Sequence, residues 1–108
     1  MKRHLLFVCS SNLDRSPASA SLFKDNKKYE SKSCGILPHA ETVISEEAIK
    51  WADIIFCMEH EHKAFIFENF QKAIKKEIIV LNVPNTFERN NPELIDTLKN
   101  KLANFLDN

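Results

Sequence analysis

Three short runs in this chain, Leu5-Leu6-Phe7-Val8, Ile54-Ile55-Phe56-Cys57-Met58 and Ile78-Ile79-Val80-Leu81, are apolar at every position. A strand with one wet face alternates in polarity. A run without alternation is covered on both sides, as in a parallel sheet flanked by helices. Residues 29–34, ending at Gly35, the only glycine of the chain, read as a further strand. Helical segments fall between these runs. Ser16-Pro17 opens the first, with Ser16 as N-cap and Pro17 at the first helical position, and it runs through Ala20, Leu22 and Phe23. Ser45 can cap a short second helix. Residues 61–75 carry Ala64, Phe65, Phe67, Phe70, Ala73 and Ile74 at roughly helical spacing, and Pro92 begins a last helix with Leu94, Ile95, Leu98, Leu102 and Phe105 on one stripe. This β-α-β-α order predicts an α/β fold, a parallel sheet with helices on both faces, in a single domain over residues 1–108.

In such sheets ligands bind outside the carboxyl ends of the strands. Cys9 stands there after the first strand and residues 82–87 after the last, so the two loops are expected on one edge. The first of them, Cys9-Ser10-Ser11-Asn12-Leu13-Asp14-Arg15-Ser16, joins a buried strand to a helix start. Consecutive backbone N–H groups in such a loop can turn inward and form an anion nest, which the helix end reinforces. Arg15 can add two parallel charge-assisted bonds to phosphate oxygens. The same positive field favours the thiolate of Cys9, a nucleophile. Ser16 can donate to Cys9, and Asn12 tolerates left-handed backbone and can brace the loop. Ser10, Ser11, Asn12, Leu13, Asp14 and Arg15 are therefore the candidate phosphate-binding residues, with Cys9, Arg15 and Ser16 as the candidate catalytic set.

Charge composition narrows the partners. Lys plus Arg and Asp plus Glu number 15 each, so no overall field draws the chain to nucleic acid or to an anionic membrane. The opening Met1-Lys2-Arg3-His4 before Leu5 to Val8 has a basic start like a signal peptide, but the apolar stretch is too short for one. The expectation is a cytoplasmic protein. Three widely spaced cysteines, Cys9, Cys34 and Cys57, suit a reducing compartment and have no zinc-ligand spacing. His60-Glu61-His62 is the one metal-like cluster. Positions two apart do not share a helix face, so solvated surface residues are expected there and no metal.

At this point a resemblance emerges. LFVCSSNLDRSPASASLF resembles the signature region of the low-molecular-weight protein tyrosine phosphatases in their short bacterial form, and SKSCG, WADIIFCMEHEH and LNVPNTFERNNPELID continue the likeness over nearly the whole chain. The resemblance implies a four-stranded parallel sheet of order 2-1-3-4. It implies hydrolysis of a phosphomonoester, phosphotyrosine first, through a cysteinyl phosphate on Cys9 with Arg15 as clamp. Neither metal nor cofactor is implied, the partner is a phosphorylated protein or small aryl phosphate, and the protein acts as a monomer.

Two positions depart from the family pattern. The loop after the fourth strand supplies an Asp after Pro as general acid, and here Asn85 follows Pro84. An amide cannot donate a proton and persist as a base, and a positioned acid contributes about 10²–10⁴-fold. Glu88 is the nearest acidic substitute in sequence. Asp14 is the second oddity: inside a phosphate loop it is tolerable if it points outward or pairs with a cation such as a lysine, and the outward, solvated placement is expected. A slow phosphatase is the first reading. A catalytically weak phosphate- or phosphotyrosine-binding module on the same scaffold is the alternative. A phosphocarrier of the sugar phosphotransferase type is disfavoured by Arg15, and an arsenate reductase by the lack of a close-spaced cysteine pair.

Overall fold

The computed structural model describes residues 2–106, apart from the side chains of Lys72 and Ile74. Met1 of the basic opening and the side chain of Ile74, both invoked above, lie outside the described residues. Strands β1 (Arg3–Cys9), β2 (Tyr29–Gly35), β3 (Ile54–Cys57) and β4 (Glu77–Val80) pair in parallel in the order β2-β1-β3-β4. The helices are α1 (Arg15–Ser21), α2 (Glu46–Trp51), α3 (His60–Asn69) and α4 (Pro92–Leu102), with a 3₁₀ turn over Gln71–Lys75.

The unalternating runs are what build two cores from one sheet. Successive side chains of a strand point to opposite faces. Leu5, Phe7 and Cys9 of β1 join Ile54 and Phe56 of β3 and Leu94, Leu98 and Leu102 of α4 on one face. Leu6, Val8, Ile55 and Cys57 join Ile49 of α2, Ile66 of α3 and Ala73 on the other. The stacked rings of Phe7 and Phe56 are fully buried, each contributing roughly 1.5–3 kcal/mol by area. The edge strand β2 exposes Glu30 and Lys32, which discourages pairing with another chain.

Helix ends follow their side chains, with one correction. Ser45 accepts the N–H of Ala48 at 3.2 Å and caps α2 as expected. Asn91 accepts the N–H of Glu93 at 2.8 Å ahead of Pro92. Ser16, expected as the cap of α1, instead lies inside it, because the helix begins at Arg15 and the Ser16 hydroxyl is drawn to Cys9 and Asn12.

The third helical segment is also corrected. It is not one helix over 61–75: the chain leaves helical geometry at Phe70, with φ −134° and ψ 97°, before the 3₁₀ turn. Its buried residues are His62 and Ile66, four apart on one face, whereas Ala64 and Phe67 are exposed. At the last helix Leu94, Leu98 and Leu102 are buried as the stripe predicts, but Leu106 rather than Phe105 enters the core.

Candidate active site

The carboxyl end of β1, the middle strand beside β2 and β3, places the 9–16 loop among segments from every neighbour. After β2 the chain runs beneath the loop and holds it by its own carbonyls. The N–H groups of Ile36, Leu37 and Glu41 donate to the carbonyls of Cys9, Ser10 and Ser11 at 3.1, 3.1 and 3.2 Å. Thr42 N–H donates to the Asn12 side-chain oxygen at 3.1 Å. Gly35 is the closest point of approach: a Cβ there would lie 2.5 Å from the Ser10 carbonyl oxygen and 2.9 Å from the Asn12 nitrogen. The sequence requires glycine here for space, since its φ is not positive. Asn12 has φ 57°, the left-handed backbone expected of it, and among the described residues only Asn82 shares that sign without being glycine.

Two donors converge on the Cys9 sulfur. Asn12 N–H donates to it at 3.2 Å, and the Ser16 hydroxyl lies at 3.0 Å, where it can donate once the sulfur is a thiolate. Ser16 Oγ also accepts from Asn12 Nδ2 at 2.8 Å and can donate to the Cys34 carbonyl at 3.2 Å. It has a single proton. With Cys9 as thiol, S–H donates to Ser16 and Ser16 to Cys34; with Cys9 as thiolate, Ser16 can swing that proton onto sulfur. Such a donor can stabilise sulfur both as attacking group and as leaving group.

Arg15 is buried with its guanidinium turned into the site. Nη1 donates to the Glu59 carboxylate and, at 2.8 Å, to the Val83 carbonyl, while Nη2 reaches Ser10 Oγ only at 3.4 Å. Because Nη1 is held by protein acceptors, the Nε and Nη2 edge is the one left to meet an anion. Cys9, Ser10, Ser11, Leu13, Asp14, Arg15 and Asn85 line a small cavity of about 90 Å³. The sequence-predicted loops therefore do meet, with Asn85 across the cavity from Cys9. Glu88 does not line it; it borders an adjoining hollow with Arg89, Asn90, Asn91 and Asp14, the last of which lines both.

Asp14 turns toward the loop after β4 and, among the described residues, is not paired with a lysine. It is half-buried, and its carboxylate accepts the backbone N–H of Arg89 at 3.0 Å. The Arg89 side chain donates to the Leu13 carbonyl at 2.7 Å and to Glu41 at 2.9 Å. One residue thus straps the loop after β4 to both the 9–16 loop and the segment beneath it. Nothing in the order of residues announces this strap.

His62 is the other feature the sequence reading missed: it was expected at the solvated surface and is fully buried. Its neighbour His60 is exposed, as spacing two apart on a helix requires. Nδ1 of His62 accepts the Glu59 N–H at 3.0 Å, the place a Glu or Gln side chain takes in a capping box. Nε2 lies 3.0 Å from Ser10 Oγ. Glu59, Glu61 and His62 bring ligand-type atoms within 4.8 Å of one another. Both ring nitrogens and the Glu59 carboxylate are already engaged, so a cation would have to displace those bonds.

Burial, and then the charge of Arg15, lower the His62 pKa from 6.5 to about 4, with Glu59 opposing. Glu61 is the other charged group facing the ring, 3.8 Å from Nε2. The unfolded chain takes up this proton near pH 6.5 and the folded chain only near pH 4. The contribution is therefore complete above pH 6.5 and is lost as pH falls toward 4, with a size on the order of 3 kcal/mol. Urea midpoints at pH 7 and pH 4.5 should show this loss, and His62→Gln should flatten the difference between them. An unchanged pH dependence in that variant would remove His62 as its source.

The remaining thiols are inert by position. Burial pushes the Cys57 thiol up to about 12 and raises that of Cys34 further, with Cys9 and Cys57 adding to the effect. Cys34 pairs with Val8 in the sheet register and lies in the core opposite the one holding Cys9.

No family model matches the chain. It is similar to the protein-arginine-phosphatase of Geobacillus stearothermophilus, 32% identical over 101 residues that take in 70% of this chain and 68% of that one. It is also similar to the protein-arginine-phosphatase of Bacillus subtilis (strain 168), 27% identical over 93 residues. That match takes in 61% of this chain and 62% of the relative, less than two thirds of the relative's length. Among solved structures, a low molecular weight protein tyrosine phosphatase from Streptococcus pyogenes superposes with a TM-score of 0.76, covering 97% of this chain and 94% of that one at 14% identity. At that identity the likeness concerns the fold alone.

Proposed function

The chain belongs to the low-molecular-weight protein tyrosine phosphatase family, and from that premise we propose that it removes phosphoryl groups from protein side chains through a cysteinyl phosphate on Cys9. The observation that carries this reading is the shared cavity of Cys9, Arg15 and Asn85, with Asn12 N–H and the Ser16 hydroxyl on the Cys9 sulfur. In the first step the Cys9 thiolate attacks phosphorus and the P–O bond to the leaving group breaks. Arg15 and the amides of residues 10–15 hold the three phosphoryl oxygens. In the second step water attacks the cysteinyl phosphate, sulfur departs as thiolate, and the Ser16 proton stabilises it.

Asn85 sits where a proton donor is needed, so turnover is slow for substrates whose leaving group must be protonated. A nitrophenolate departs readily without help, and an unactivated phenolate does not. Asn85→Asp should therefore raise the rate on phenyl phosphate by about 10-fold or more and change the nitrophenyl rate far less. It should also shorten the life of the phosphoenzyme, because the same carboxylate activates water. Steady-state and burst kinetics with Cys9→Ser as the blank read both effects. Equal rates for Asn85→Asp and wild type on both substrates would remove Asn85 from the acid position. A burst of one equivalent without turnover would instead favour the phosphate-binding module.

Leu13, 51% exposed on the lip of the cavity, offers an apolar contact to an aromatic ring and supports phosphotyrosine as substrate. Phosphoarginine is the second reading, favoured by what the two similar proteins are named for. Matched peptides carrying one or the other modification, compared by phosphate release, decide between them. The reading takes the protein to act as a monomer in the cytoplasm, where its three free thiols stay reduced. Among the described residues, no helix is long and apolar enough to cross a membrane.

A further inference from the structure

A backbone N–H can only donate, so the 3.0 Å contact from Glu59 N–H requires Nδ1 of His62 to be the acceptor. The ring proton of neutral His62 then resides on Nε2 and is donated to Ser10 Oγ, 3.0 Å away. The Arg15 Nη2 group, which has no acceptor capacity, donates to the same oxygen at 3.4 Å. A serine hydroxyl has two lone pairs and one proton. Both lone pairs are taken, and Ser10 borders the cavity shared by Cys9, Arg15 and Asn85.

We propose that the Ser10 hydroxyl is a directed donor to the phosphoryl oxygens of the substrate, and that buried His62 is the positioning residue that aims it. The proposal deepens the phosphatase reading and rests on it. The amides of the loop are fixed donors by virtue of the backbone. Ser10 adds a side-chain donor whose direction is set from outside the loop, by a helix that begins fifty residues later in the chain. The hydroxyl proton stays on oxygen throughout; only a hydrogen bond forms. Protonating His62 would force a second N–H against the Glu59 N–H, so the aiming device works with the ring neutral.

Substitutions at Ser10 and His62 and one double-mutant cycle test this. Ser10→Ala should lower kcat/KM for nitrophenyl phosphate by about 100-fold, the low end of losing one preorganised donor, while Ser10→Thr, which keeps the hydroxyl, should recover most of it. His62→Leu should lower kcat/KM in the wild-type background and have no further effect in Ser10→Ala, since His62 acts through Ser10. His62→Met, which fills the space without a donor, replaces His62→Leu in the cycle if the latter does not fold, while His62→Gln, which keeps a donor near Nε2, should recover part of the loss. A loss below about threefold for Ser10→Ala overturns the donor. Additive effects of the two sites overturn the aiming role and leave His62 merely structural. The parallel measurement is vanadate affinity by calorimetry, which should weaken by a similar factor in Ser10→Ala. If wild type shows no Cys9-dependent turnover the phosphatase reading fails, and vanadate affinity still decides whether Ser10 donates to a bound oxyanion.

Discussion

An Arg15→Lys variant should hydrolyse nitrophenyl phosphate with kcat/KM lowered by about 10²–10³-fold, the scale of removing one preorganised donor from a developing anion. The reasoning is geometric rather than a matter of charge, because lysine keeps the cation. Arg15 splits its donors: Nη1 is held by Glu59 and the Val83 carbonyl, which fixes the plane of the group and leaves its other edge for phosphate. An ammonium cannot satisfy two protein acceptors and still present a planar pair of N–H bonds. It would settle on Glu59 or on phosphate, and one site would be left short. Replacing Arg15 with alanine should in addition destabilise the fold, since the Val83 carbonyl loses a buried partner and Glu59 its counter-charge. Kinetics and urea midpoints on both variants separate the two effects. A loss under about 10-fold in Arg15→Lys, in protein of wild-type stability, would mean that Arg15 ties the loops together but does not clamp the substrate.

Gly35→Ala should be almost as damaging while touching no group that meets the substrate. The added methyl would stand 2.5 Å from the Ser10 carbonyl oxygen, 2.9 Å from the Asn12 nitrogen and 2.8 Å from Ala40 Cβ. Two of these are backbone atoms of the phosphate loop, so the loop itself must move. Overpacking of this kind costs about 1–3 kcal/mol, and displacing a site by about 1 Å can lower a rate about 10²-fold. Asn12 N–H would move off the Cys9 sulfur in the same shift. Wild-type kcat/KM and vanadate affinity in a folded Gly35→Ala protein would show that the loop does not depend on its splint.

Much of this architecture is legible from the residues alone, and the reasons are local. Apolar runs without alternation at 5–8 and 54–58 report strands covered on both sides, and the sheet order follows from the resemblance carried by the 9–16 loop. Asn85 stands out as a candidate because it follows Pro84 at a place where the resemblance implies a carboxylate. What stayed hidden depends on partners far along the chain. His62 meets Ser10 across 52 positions and Arg89 meets Asp14 across 75, and neither contact leaves a periodic trace. The segment from 61 to 75 misled for another reason. Its apolar residues are dense enough to fit more than one helical phase, and the break at Phe70 removes the second half from the count. Ser16 has the composition of a cap but is needed by Cys9, a case of site chemistry overriding local preference.

The spread of the Arg15 contacts bears on when a newly made chain can become active. The hydrogen bonds joining the 9–16 loop to its splint draw on no residue beyond Thr42. The Val83 carbonyl and the Arg89 strap come 68 and 75 positions after their partners. A nascent chain that has not yet reached Val83 and Arg89 therefore lacks the contacts that orient Arg15 and strap the 9–16 loop. Arg15 takes its final orientation only when the segment following β4 folds back onto the 9–16 loop.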